Sequence, residues 1–162
     1  MFVRLGTSWV RAAVGAAAAL GRGQPVQEGI YSTGDARSRL RRAVDDFEPD
    51  LVVIQMVRCG WAAEVAAQAA PGVPTVFDAI DCMSLHYRRA AQAAAPPFRS
   101  AYRFEAARCG RREAELVRRA DVTTAVAGRD LEHLRAGSRG MVVAVAGGVE
   151  TTEAGEGFDG EG

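Results

Sequence analysis

Apolar runs and amphipathic stripes alternate along most of the chain. Four short apolar runs, each bounded by charged residues, glycine or proline, are typical of β-strands: 51–56, 74–80, 122–126 and 141–146. Leu40, Val44 and Phe47 share one face of a helix predicted over residues 35–47. The same spacing predicts further helices over 8–20, 61–70, 84–95, 99–120 and 129–136.

Strands that alternate with helices predict right-handed βαβ units and a parallel sheet. Because the apolar runs are continuous rather than alternating, we expect helices on both faces of that sheet. The predicted fold class is therefore α/β, with an open, mostly parallel sheet flanked by helices. Residues 25–31 are predicted as a short extended segment. Ligands of such sheets gather at the carboxyl ends of the strands, here residues 56–58, 78–84, 127–130 and 147–150.

Composition narrows the classes of function. The 162 residues suit one domain, and 48% hydrophobic with 25% charged residues are ordinary for a globular protein. All 20 basic residues are arginine and 20 acids balance them, so we do not expect a nucleic-acid partner. Cys59, Cys82 and Cys109 lack the spacing of a disulfide framework or a zinc site, which predicts a cytoplasmic protein without a bound metal.

Several common catalytic motifs are missing from the sequence. No G-x-G-x-x-G follows a predicted strand, and a Walker A motif is impossible without lysine. A G-x-S-x-G elbow is also absent. Asp81, Ser84 and His86 lie close together in the chain, but at that spacing they do not easily form the relayed hydrogen bonds of a catalytic triad.

Two stretches carry a family signature. In residues 76–91 (VFDAIDCMSLHYRRAA), a predicted strand ends in the motif Asp-x-x-Asp-x-x-Ser. A helix with basic and aromatic residues follows it. Residues 104–134 are predicted to form a long charged helix, the dipeptide Ala120-Asp121, a strand and a short helix. A further strand then precedes the sequence Gly-Gly-Val at 147–149. With residues 21–32, these features resemble the N-terminal half of family 4 glycosyltransferases, especially the sugar transferases associated with exopolysaccharide and PEP-CTERM systems.

The resemblance implies half of a GT-B fold with a Rossmann-like sheet. Residues 1–150 would form the acceptor-side domain without the family's first strand, and 151–162 a disordered tail. The implied activity is transfer of a sugar from a nucleotide-sugar to a glycan or lipid-linked acceptor, with retention. No cofactor is implied, since the nucleotide-sugar is a substrate expected on a second domain, which another chain could supply. We expect the chain alone to be inactive.

Departures from the family pattern keep an alternative open. The family's Asn-Gly-Val turn, which leads into the second domain, reads Gly147-Gly148-Val149 here, and the small polar residue after the third strand reads Ala127. The sequence is therefore also compatible with a non-catalytic α/β binding module, or a degenerate fragment, derived from such an enzyme.

Five residues at predicted strand ends are the acceptor-side candidates. Asp78 and Asp81 follow one strand, and a carboxylate can accept hydrogen bonds from sugar hydroxyls. The alternative for Asp81 is that it caps the next helix, alongside Ser84. Met56 and Arg58 follow the neighbouring strand and complete the set.

Three further candidates lie on the helix predicted over 99–120. Glu105, Arg108 and Glu113 are expected to be structural or to line the cleft wall. Glu113 falls inside the apolar stripe, so we expect it to be buried and paired with an arginine. The seven arginines of this helix suggest either a solvated basic face or peripheral contact with the anionic inner face of a membrane.

Overall fold

Residues 8–145, the part of the chain that this computed structural model describes, form seven α-helices and four β-strands, and three of the helices precede the first strand. The helices are α1 (Trp9–Gly21), α2 (Val26–Tyr31), α3 (Gly34–Phe47), α4 (Trp61–Ala69), α5 (Met83–Ala93), α6 (Phe98–Arg119) and α7 (Gly128–Arg135). The strands are β1 (Val52–Gln55), β2 (Thr75–Asp78), β3 (Val122–Ala125) and β4 (Met141–Ala144).

The four strands form one parallel sheet in the order β1-β2-β3-β4. Val53 pairs with Val76, Val76 with Val122, and Val122 with Met141. Each strand begins and ends inside its predicted range. The predicted class, an α/β fold with a parallel, Rossmann-like sheet flanked by helices, is confirmed.

The extended segment predicted over residues 25–31 is wrong, because Val26–Tyr31 forms helix α2. Glu105 of α6 accepts a 2.7 Å hydrogen bond from the backbone N–H of Val26, which satisfies one free donor at the start of the helix. Gly29 of α2 packs directly on Gly15 of α1, where a Cβ on either residue would collide with the other's carbonyl oxygen. Contacts distant in sequence thus override a local pattern too short to specify a helix.

The hydrophobic core lies between the helices and one face of the sheet. Ile54, Phe77 and Ala125 point from β1, β2 and β3 into this layer and are buried. Leu116 of α6 and Leu131 of α7 pack against them. Alternate residues of every strand therefore face the helices.

The opposite face of the sheet is not covered by the described helices. Val53 is 59% exposed and Met141 64%, while Val76 and Val122 between them are only half-buried. The expectation of helices on both faces is therefore wrong for residues 8–145. The strand order explains it: each crossover moves one strand further in the same direction, so right-handed connections all run over one face.

A buried arginine joins three helices. Arg112 of α6 lies 2.6 Å from Glu28 of α2 and 2.9 Å from Glu64 of α4. Glu115, one turn further along α6, lies 2.7 Å from Arg112, and Arg37 of α3 pairs with Glu64. Burial alone would lower the pKa of Arg112, but its hydrogen bonds and charge interaction with Glu28 raise it. The ion is therefore fully charged and holds α2 and α4 against α6.

Candidate functional site

Two neighbouring strands end in strained backbone. Met56, just after β1, has φ 65° and ψ 150°, and Ile80, two residues after β2, has φ 54°. Residues with a Cβ rarely adopt a positive φ, and each one that does lowers the stability of the fold by about 1–3 kcal/mol. Both lie at the carboxyl edge of the sheet, where the N–H of Met56 donates to the carbonyl of Asp78 at 2.8 Å. Strain of this kind clusters at ligand sites.

Asp78 lies between these strained residues and is held from three sides. Thr124 Oγ1 of β3 donates to Asp78 Oδ1 at 2.8 Å, and Gln55 Nε2 of β1 donates to Oδ2 at 3.1 Å. The backbone N–H of Ile80 also donates to Oδ1, at 3.3 Å. A carboxylate offers about four acceptor positions. Asp78 therefore keeps one acceptor position free, on Oδ2, at the uncovered face of the sheet.

The other strand-end candidates lie along the same edge. Arg58 is exposed in the short 3₁₀ turn Val57–Cys59 that follows β1, and it forms no ion pair with another described residue. Asp81 is exposed in the loop after β2. Its alternative role as a cap is not observed, because Cys82 occupies the N-cap position of α5. The topology thus places Met56, Arg58, Asp78 and Asp81 at one edge.

Ser84 differs from the other acceptor-side candidates because it is fully buried. Its Oγ lies 3.2 Å from His133 Nε2 of α7, and its backbone N–H donates to Glu113 Oε1 at 3.1 Å. In this structure it cannot touch an acceptor, which corrects the expectation from the sequence. A Ser84–His86–Asp81 triad does not form either, since the histidine beside Ser84 is His133.

Glu113 is buried as predicted, but the predicted arginine partner is wrong. Its carboxylate binds the backbone at the start of α5, which the Cys82 side chain does not cap. Asp130 of α7 adds a second carboxylate there, accepting from the N–H of Cys82 at 3.3 Å. Free N–H groups and the positive end of the helix dipole attract both acids. Burial raises the pKa of Glu113, while hydrogen bonds from Ser84 oppose the shift.

Glu105 and Arg108 have structural contacts. Glu105 Oε1 caps α2 through the N–H of Val26, and its Oε2 accepts from Arg108 Nη1 at 3.2 Å. Neither residue lies at the carboxyl edge of the sheet. Their role in this structure is to fix α2 on α6.

Three residues around the candidates could not be identified from the sequence. Gln55 and Thr124 hold Asp78, and His133 contacts Ser84. The first two lie in register with Asp78 on adjacent strands, so only the strand pairing reveals them. His133 lies 49 positions after Ser84, and no spacing rule links them.

Some expectations concern other parts of the chain or other kinds of site. Gly147, Gly148 and the tail predicted at 151–162 lie outside the described residues. Over residues 8–145, no group of three or more His, Cys, Asp or Glu side chains could hold a metal ion. Across that same span, every helix is too short or too polar to cross a membrane.

Comparison with known proteins adds no relative. No family model, curated protein or solved structure matches the chain. The resemblance to family 4 glycosyltransferases therefore stays a prediction from the sequence. Because open α/β sheets host many unrelated functions, the residues at the carboxyl edge bear on the function of this chain more than its fold does.

Proposed function

We propose that this chain is the acceptor-side α/β domain of a glycosyltransferase, which transfers a sugar from a nucleotide-sugar to a glycan or lipid-linked acceptor. The observation that supports this most is the arrangement of the Asp78 carboxylate. This carboxylate is held by Thr124 and Gln55 at the carboxyl edge of the sheet and keeps one acceptor position free. A hydroxyl group of the acceptor would donate to Oδ2 at that position.

The neighbouring residues supply complementary contacts in this proposal. Asp81 would accept from a second hydroxyl, and Met56 would offer an apolar contact beside the sugar ring. Arg58, exposed and free of an ion pair among the described residues, would bind a phosphate of a lipid-linked acceptor. Catalysis then depends on orienting acceptor and donor, which can lower a barrier by about 7–11 kcal/mol.

We place the protein in the cytoplasm and the donor site on another domain or chain. The cysteines Cys59, Cys82 and Cys109 are all unpaired, and burial raises the pKa of each thiol, as suits structural thiols in a reducing compartment. Over residues 8–145, no Gly-rich loop follows a strand to hold a diphosphate.

Calorimetric titration of the 162-residue chain tests the proposal. We expect oligosaccharide acceptors to bind, and UDP-, GDP- and ADP-sugars to bind no tighter than millimolar, about 4 kcal/mol. Asp78→Asn should weaken glycan binding, and Asp45→Asn, on the exposed side of α3, should not. Micromolar binding of a nucleotide-sugar would contradict the acceptor-side assignment. Glycan binding that Asp78→Asn leaves unchanged would contradict the site.

A non-catalytic glycan-binding module is the second candidate. The observation in its favour is that the side chains bonded to Asp78, Gln55 and Thr124, are uncharged and fix the carboxylate in place, which a glycan-binding site needs as much as an enzyme does. The two candidates differ in turnover. If glycan binds but no labelled sugar is transferred, even after cell extract is added as a source of the donor-binding chain, the module is favoured.

A further inference from the structure

Helix α1 presents an apolar face to solvent. Trp9 is 81% exposed, and Val14, one turn further on, is 65% exposed. Six exposed residues share this face: Trp9, Val10, Ala13, Val14, Ala17 and Leu20. The other side of the helix packs on α2 through Gly15 and Gly29. This surface, the α1 stripe, therefore covers three helical turns without a charged side chain.

The outer face of α6 is basic. Arg103, Arg111 and Arg118 are exposed along it, and none forms an ion pair with another described residue. Phe104, 66% exposed, lies among them. The face carries no exposed acid: Glu105 and Glu113 are buried, and Glu115 is half-buried and paired with Arg112 and Arg119. In a chain with no net charge, positive charge is thus concentrated on one surface.

The α1 stripe and the basic face meet at the end of α1. Leu20 and Phe104 line one groove of about 410 Å³ together with Arg108. A second groove, of about 500 Å³, is lined by Arg22, Arg108, Arg111 and Arg118. Arg111 Nη2 also donates to the carbonyl of Gly23, just beyond α1, at 3.2 Å. Apolar and cationic side chains therefore form one continuous surface.

We propose that this surface docks on an anionic lipid bilayer. Trp9, Val14 and Phe104 would enter the boundary between headgroups and acyl chains, while Arg111 and Arg118 bind lipid phosphates. A nucleic acid would pair with the arginines but leave the α1 stripe in water. A second copy of the chain would cover the stripe but bring like charges together. The inference does not depend on the transferase activity.

Vesicle binding tests the docking surface directly. The full chain should sediment with vesicles of phosphatidylcholine containing about one third phosphatidylglycerol, and not with phosphatidylcholine alone. Since the lipid charge is required, binding should fall as salt rises. The chain has two tryptophans, and Trp61 is buried, so a blue shift of fluorescence on adding vesicles reports on Trp9. Brominated lipid should quench the shifted emission.

Matched variants separate the charge from a general loss of stability. Arg111→Gln with Arg118→Gln should lower the partition coefficient roughly tenfold or more. Arg41→Gln with Arg42→Gln, exposed on α3, removes the same charge and should leave binding unchanged. Trp9→Gln should weaken binding to the anionic vesicles while circular dichroism and melting temperature stay the same.

Three results would overturn the proposal. One is equal binding to neutral and anionic vesicles, and another is binding that both arginine pairs reduce alike. The third is the absence of vesicle binding while sedimentation velocity shows a dimer that Trp9→Gln dissociates. That last result would assign the α1 stripe to a second copy of the chain.

Discussion

Glu113 is a buried carboxylate whose protonation should be linked to folding. Burial raises its pKa above the ordinary value of 4.5, so the folded state binds a proton more tightly than the unfolded state. The contribution of protonated Glu113 to the free energy of unfolding is fully present below the pKa that this group has in the unfolded chain. It is lost as the pH rises through the higher pKa of the folded protein. Glu113→Gln keeps an oxygen for the Ser84 N–H without a charge, so it should remove this loss.

A comparison of the wild type with Glu113→Gln at two pH values isolates the contribution of Glu113 to the pH dependence of stability. Urea unfolding at pH 5 and pH 8 should show that Glu113→Gln gains stability relative to the wild type as pH rises. Glu28, whose pKa burial also raises, is present in both proteins and cancels in the difference. A variant with the same pH dependence as the wild type would show that Glu113 ionises in the folded protein as easily as in the unfolded chain.

Residues differ in how far the sequence could place them. Asp78 and Asp81 follow a recognisable strand, and the strand-end rule brought them to the correct edge. Gln55 and Thr124 were out of reach, because their contact with Asp78 depends on strand pairing. The apolar stripe of the helix predicted over 99–120 indicated that Glu113 is buried. Its partner, however, is a backbone group, which no side-chain pattern encodes.

At the scale of helices, the ion pair between Arg112 and Glu28 is expected to be the one whose loss destabilises the protein most. Arg112→Met leaves the Glu28 carboxylate buried without its partner, so it should cost about 3–5 kcal/mol. Arg119→Gln removes a partly exposed pair with Glu115 and should cost at most about 1 kcal/mol. Chemical denaturation measures both. The double variant Arg112→Met, Glu28→Met should recover much of the loss; equal costs for the two single variants would contradict this role.

The contact between α1 and α2 depends on two glycines. A Cβ on Gly15 would collide with the carbonyl of Gly29, so Gly15→Ala must separate the helices and should lower the melting temperature by several degrees. Gly34→Ala, at the start of α3, meets no atom and should be neutral or slightly stabilising. Thermal melts of the two variants compare them. If both behave alike, α1 does not pack on α2 through Gly15 in solution.

Long helices were predictable and the shortest one was not. The pattern over residues 99–120 repeats for several turns, so it identified α6 almost to the residue. Helix α2 has six residues, too few for a periodic signal, and its capping and packing partners are Glu105 and Gly15. Tertiary contacts decide such a segment, and they are not visible in a local window.

For the whole molecule, the continuous apolar strands predicted two covered faces, and the described helices cover one. Parallel sheets almost always have both faces buried. The apolar side chains on the open face, such as Val53 and Met141, therefore have the composition of a core and the exposure of a surface. Periodicity predicted the strands correctly but could not predict which residues cover them.

Substitutions on the two faces of β1 test whether the open face is covered in solution. Ile54 is 3% exposed against the helices, so Ile54→Ala should cost about 2–5 kcal/mol. Val53, the next residue, is 59% exposed, and Val53→Thr should change stability by about 0.5 kcal/mol or less. Both values come from urea unfolding at several protein concentrations. A cost for Val53→Thr as large as that for Ile54→Ala would mean that the isolated chain buries this face. If that cost also grows with concentration, a second copy of the chain provides the cover.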